Sequence, residues 1–182
     1  MSEIMTRSKI MIDPLRPRAE LVVIEDIAHS LSMLCRANGH FRSFYSVGRH
    51  SLNCAKEAKA RGLSQRLQLA CLLHDASEAY LSDVTRPVKA ELPQYKLIEE
   101  PLQELIWNKW LEKPLTPEEN AQVFQIDDDI LIHEFLELMG EQIGEKIPKL
   151  YAQPEFAFLG FEQTKQEFLR LFCQLTGHKD KE

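Results

Sequence analysis

The sequence has little of what would staple a fold or anchor it to a membrane. Its four cysteines (Cys35, Cys54, Cys71 and Cys173) lie far apart and form no CxxC pair. Three of them fall within apolar helical patterns, so they read as reduced core thiols rather than a disulfide framework. No apolar run approaches the roughly 20 residues needed to cross a bilayer, and the opening MSEIMTRSK lacks the apolar centre of a secretory signal. Positive charge is in deficit: 22 Lys and Arg against 28 Asp and Glu give a net charge of −6. That balance excludes a broad nucleic-acid-binding face but permits a locally positive pocket for a small anion. No internal repeat, low-complexity tract or interdomain linker interrupts the 182 residues. The expectation is one cytoplasmic domain with neither a membrane nor a nucleic-acid polymer as partner.

What is present is apolar periodicity. With 44% hydrophobic residues the chain can bury a core unaided. Residues 1–23 are irregular, and the β-prone pieces KIMID and ELVVI flanking Pro14 and Pro17 suggest a small hairpin. Ile24, Ile27, Ala28, Leu31, Leu34 and Cys35 then mark a first helix, closed by Asn38-Gly39. A second runs from the cap Ser46 to Arg61, ending at Gly62. Ser64 caps a third, with Leu67, Ala70, Cys71 and His74 on its stripe. Leu81 to Pro93 reads as a loop with a turn of helix, and Gln94 to Leu111 as a fourth helix kinked or broken at Pro101. Thr116-Pro117-Glu118-Glu119 opens a fifth helix that stops at Gly140. A sixth spans about 161–175, before a frayed tail, GHKDKE. These elements predict an all-α, single-domain helical bundle over 1–182, with its core at about 12–140.

Polar side chains on buried helical stripes carry the functional signal, because burial without partners is costly. His50 lies three residues after Val47 and four before Cys54. His74 follows Cys71 by three and Ala70 by four, and Asp75 shares part of that face. Within Asp127-Asp128-Asp129, Asp127 has the most apolar surroundings (Val123, Phe124, Ile130, Leu131) and is the one expected to point inward. Two imidazoles and two carboxylates form a mixed N/O set suited to a divalent ion. It leaves one or two positions open, as a catalytic site needs.

The order of these residues resembles the HD-domain superfamily of metal-dependent phosphohydrolases, in which His, His-Asp and a later Asp lie on successive helices. The runs DIAHSLSMLCRANGH, YSVGRHS and HDASEAYLSDVTRPVK are similar to its bacterial and phage branch, which resembles the 5'-deoxynucleotidases. The resemblance covers roughly residues 12–140. It implies one divalent ion (Mn, Co, Fe, Ni, Zn or Mg) held by His50, His74, Asp75 and Asp127. It further implies Glu78 as the catalytic carboxylate over the metal, Asp83 as a second acidic residue at the substrate pocket, and Arg36 on the phosphate. Arg86 and Lys89 would add positive charge around the leaving group. The implied reaction is hydrolysis of a phosphate ester, a (deoxy)nucleoside 5'-monophosphate; release of triphosphate from a nucleoside triphosphate is the alternative, and a non-catalytic, metal-pinned binding domain the third reading. Ala79 departs from the adjacent acidic pair of the guanosine-tetraphosphate hydrolases, which disfavours that substrate. A homodimer is expected from the resemblance and from the apolar fourth and sixth helices. Trp107 and Trp110, three apart, read as core or dimer packing rather than a base-stacking platform.

Overall fold

The computed structural model describes residues 3–178. A short antiparallel hairpin pairs β1 (Ile4–Met5) with β2 (Met11–Ile12). KIMID therefore supplies a strand, but its partner precedes it. ELVVI forms a 3-10 turn over Ala19–Leu21 and then enters α1 (Ile24–Met33). Val22 is fully buried there, and Glu25 and Asp26 suit the positive end of the helix that follows.

The remaining helices are α2 (Val47–Ala60), α3 (Gln65–Leu72), α4 (Glu78–Leu81), α5 (Arg86–Ala90), α6 (Pro93–Trp110), α7 (Pro117–Met139) and α8 (Phe161–Thr176). Local chemistry explains most of the boundaries. The Ser46 and Ser64 hydroxyls accept from the backbone of Arg49 and Leu67 and cap α2 and α3. Thr116 and Glu119 close a capping box on α7, and Gly140, at φ 78°, ends it in the left-handed conformation. Pro101 does not break α6. It falls on an exposed stretch, where solvent can take the carbonyl of Leu97 that its missing N–H leaves unpaired.

α2 is the central element, packed against α1, α3, α7 and α8. The main core joins its Val47, Leu52 and Ala58 to Leu31 of α1, Leu72 of α3, Ile106 of α6, Ile130 of α7 and Phe168 of α8. At the α1–α2 crossing, a Cβ on Gly48 would sit 3.2 Å from the Leu31 backbone, so a larger residue would need the two helices to move apart by a few tenths of an ångström. A smaller cluster of Phe41, Tyr45 and Leu138 closes one end. Among the described residues, no helix is long and apolar enough to cross a membrane.

Two differences from the sequence reading bear on the site. α1 stops at Met33, and Leu34 and Cys35 are extended, Cys35 bridging Ser46. Ala37 and Asn38 then take φ near 50° inside a 3-10 segment, Arg36–Gly39. Asn38-Gly39 thus closes this tight segment, not the first helix. Likewise α3 ends at Leu72, so His74 and Asp75 stand in a run of turns through Ser77 rather than on a helix.

Candidate metal centre

Four elements converge behind the end of α3. α2 supplies His50, the turn after α3 supplies His74 and Asp75, α7 supplies Asp127, and the strained segment after α1 supplies Arg36. His50 Nε2 lies 3.1 Å from His74 Nε2, 3.0 Å from an Asp127 oxygen and 3.8 Å from Asp75. His74 Nε2 lies 3.3 Å from Asp75 and 3.7 Å from Asp127. His50 is fully buried, and His74 and Asp127 nearly so.

The outer nitrogens decide the tautomers. His50 Nδ1 is 2.6 Å from a carboxylate oxygen of Glu134, and His74 Nδ1 is 2.7 Å from the Cys71 carbonyl oxygen. Both partners only accept, so both Nδ1 atoms carry the proton. Both Nε2 atoms then direct a lone pair into the same space, 3.1 Å apart. Two lone pairs so placed require a cation between or beside them, either a proton or a metal. An imidazole whose far nitrogen donates to a carboxylate or carbonyl is also how proteins orient metal-binding histidines. The buried Cys54 adds its sulfur 3.4 Å from His50 Nε2. His50, Cys54 and His74 offer ligand atoms within 4.8 Å of one another, so this group could hold a metal ion.

The charges around it are balanced. Burial opposes ionisation of Asp75 and Asp127, yet the imidazoles hold both carboxyls below the usual range. Against the same desolvation, Asp75 raises His74 and Glu134 raises His50. Burial, reinforced by Asp127, pushes the Cys54 thiol well up, so it keeps its proton while the neighbouring carboxylates are ionised. Cys71 is pushed up by burial to about 12. Both cysteines are free and buried, as their helical spacing suggests.

Glu134 was not singled out from the sequence. It is fully buried, accepts from His50 on one oxygen and from Arg36 Nε at 3.2 Å on the other, and takes a further hydrogen bond from Tyr45. Arg36 also reaches Asp75 at 3.2 Å and Asp127 at 4.0 Å. One carboxylate therefore orients both an imidazole and the guanidinium. Its signal is spacing: Glu134 is seven residues, two turns, beyond Asp127 on the same face of α7.

A cavity of about 840 Å³ opens in front of this centre, and Arg36, His74, Asp75 and Asp127 form its inner end. Glu78, Asp83, Arg86 and Lys89 line it too, whereas His50 lies behind the wall, fully buried. Glu78 begins α4, which Ser30 Oγ fixes to α1 by donating to the Ala79 carbonyl at 3.1 Å. The buried Oε2 of Glu78 has no hydrogen-bond partner. Burial, with Asp75 and Asp83 adding to it, raises its carboxyl well above the usual range; burial also raises Asp83. Lys89 lies 3.8 Å from Glu78 and 2.6 Å from Glu99. Arg86 holds Asp127 at 2.7 Å and also pairs with Asp128. Trp110 packs edge-on against Phe172, whereas Trp107 packs on the core and also lines the cavity.

No protein-family model matches the chain. Its relatives include the uncharacterized protein YfdR of Escherichia coli K12, 38% identical over 107 residues, which are 58% of this chain and 57% of the relative. An uncharacterized protein of Rhodobacter capsulatus is 44% identical over 86 residues, 44% of this chain and 43% of the relative. The matched stretches span about half the length of these curated relatives, and neither name carries an activity to transfer. The functional reading therefore rests on the geometry of the site and on the motifs of the sequence.

Proposed function

We propose that the chain is a divalent-metal-dependent phosphohydrolase that converts a (deoxy)nucleoside 5'-monophosphate to nucleoside and phosphate. The observation that carries this reading is the pair of facing Nε2 atoms, 3.1 Å apart and flanked by Asp75 and Asp127, at the inner end of a cavity that also holds Arg36, Arg86 and Lys89. In this reading His50, His74, Asp75 and Asp127 hold the ion. The two aspartates are already ionised, whereas Cys54 would have to lose a proton against burial, so the mixed N/O set is preferred over a thiolate. A divalent ion there supplies Lewis acidity toward water and toward a phosphate oxygen.

The protein's own groups do the rest. The unpartnered oxygen of Glu78 orients the attacking water and accepts its proton. Arg36, whose plane Glu134 fixes, offers N–H donors to the phosphate. Arg86 and Lys89 place positive charge where the leaving oxygen departs, and Asp83 borders the substrate. The apolar wall formed by Phe124, Leu131 and Trp107 suits the nucleoside.

The test uses purified wild type, Asp75→Ala and Cys54→Ala, read by elemental analysis and by phosphate release from nucleoside monophosphates with manganese, cobalt or magnesium. Wild type and Cys54→Ala are expected to carry metal and release phosphate, and Asp75→Ala to do neither. Equal phosphate release by wild type and Asp75→Ala would overturn the proposal.

A further inference from the structure

The cavity wall extends beyond the metal centre along α7 and α6. α7 contributes Asn120, Phe124, Asp127 and Leu131 to its wall, at spacings of four, three and four that keep them on one stripe. α6 contributes Gln103 and Trp107. Most polar groups on these walls are engaged. Gln103 donates to the Leu73 carbonyl at 2.7 Å and accepts from the Ser77 backbone at 3.0 Å. Trp107 Nε1 donates to the Ala70 carbonyl at 3.3 Å, leaving only its ring to the cavity. Asn120 differs: its Oδ1 is buried and has no hydrogen-bond partner. An amide oxygen in that state carries a desolvation cost that a donor would remove. The cavity's other orphaned acceptor, Glu78 Oε2, belongs to the metal end.

Resting on the nucleotide reading above, we propose that Asn120 recognises the nucleobase. Its amide oxygen accepts from the exocyclic amino group of an adenine- or cytosine-type base, and Phe124, one turn along, packs against the ring. Two turns of helix separate Asn120 from Asp127, about 10 Å along the axis. That is comparable with the reach of a nucleoside monophosphate from phosphate to base edge. Phe124 is 49% exposed and lines the cavity, so its ring is open for a flat ligand to cover.

Binding of nucleosides needs neither metal nor turnover, so it tests Asn120 apart from the chemistry. The full chain is titrated, with tryptophan fluorescence as readout, with 2'-deoxyadenosine, 2'-deoxycytidine and purine 2'-deoxyriboside, which lacks the amino group. At least one amino-bearing nucleoside should bind wild type about tenfold more tightly than Asn120→Leu, the loss expected for one hydrogen bond. Purine 2'-deoxyriboside should bind wild type about as weakly as deoxyadenosine binds the variant. Asn120→Asp, which keeps an acceptor, should restore binding and so exclude a folding defect. Equal affinity in wild type and Asn120→Leu, or no nucleoside binding, overturns the assignment. If deoxyribose 5-phosphate is hydrolysed while nucleosides fail to bind, the hydrolase reading stands and this one falls; nucleoside binding without any phosphate release has the opposite meaning.

Discussion

At the residue scale, the informative side chains are those whose surroundings conflict with their chemistry. Asp127 was legible because a carboxylate at helical spacing from Val123, Phe124, Ile130 and Leu131 must either point away from a core or be paired within it, but it is not alone in turning inward: Asp129 is buried as well, paired with Arg61 and Gln125. Glu134 was not, because its neighbours Ile130 and Leu138 are equally apolar but nothing in one dimension says that His50 and Arg36 arrive from 84 and 98 residues away. Its role predicts the behaviour of Glu134→Gln. The carboxylate accepts on both oxygens at once, from His50 on one and Arg36 on the other, whereas an amide has one oxygen, so either His50 or Arg36 meets an N–H instead. Metal affinity, measured by competition with a chelating dye, should fall about 10- to 100-fold, the usual loss when the partner of a metal-binding imidazole is removed. Unchanged affinity would show that Glu134 only fills space.

At the element scale, helices were read well wherever a cap and a period agreed, as in α2 and α7. The reading failed where tertiary contacts override local pattern. The apolar stripe of α3 continues through His74, yet the helix ends at Leu72, and Gln103 from α6 bonds Leu73 and Ser77 within the turns that follow. ELVVI has strand composition but no partner, and Val22 enters the core instead. The α7 cap gives a pH prediction. Hydrogen bonding from Arg66, then from the Thr116 backbone, lowers the Glu119 carboxyl in the folded state. A depressed acid stabilises above its unfolded value, about 4.3, and that contribution is lost as pH falls through the folded value. Gln can still cap the helix, so Glu119→Gln isolates the charge paired with Arg66. Its melting temperature should lie below that of wild type at pH 7, and the gap should narrow progressively as the pH is taken below about 4.3. A gap of constant size across that range would refute the argument.

At the scale of the whole molecule, the all-α class followed from composition and period, since one apolar core recruits α1, α2, α3, α6, α7 and α8, while the small N-terminal hairpin was placed in the right region but with the wrong partner for KIMID. The cavity could not be read in advance, because α4, α5 and the first half of α6 enclose it through loop geometry rather than through any periodic signal. If His50, His74, Asp75 and Asp127 hold an ion as proposed, donors from three parts of the chain couple its binding to folding. An ion that binds only the assembled site, present at a hundredfold its dissociation constant, adds about 2.7 kcal/mol. For a chain of this size that raises the melting temperature by about 5–10 °C. Calorimetry with manganese or cobalt, then with chelator, should show the rise and its reversal, and His74→Ala should show neither.

α7 has one further consequence. Asn120, Asp127 and Glu134 recur every seventh residue on an uninterrupted helix, so their separation and bearing are set by backbone geometry alone. One residue inserted or deleted between 120 and 134 would swing part of that set through about 100°, taking it away from the groups it now faces. Point substitutions on the outer face of α7 are compatible with the site, but changes of length are not. Evolution or design can retune this pocket by exchanging side chains along the rod, never by stretching it.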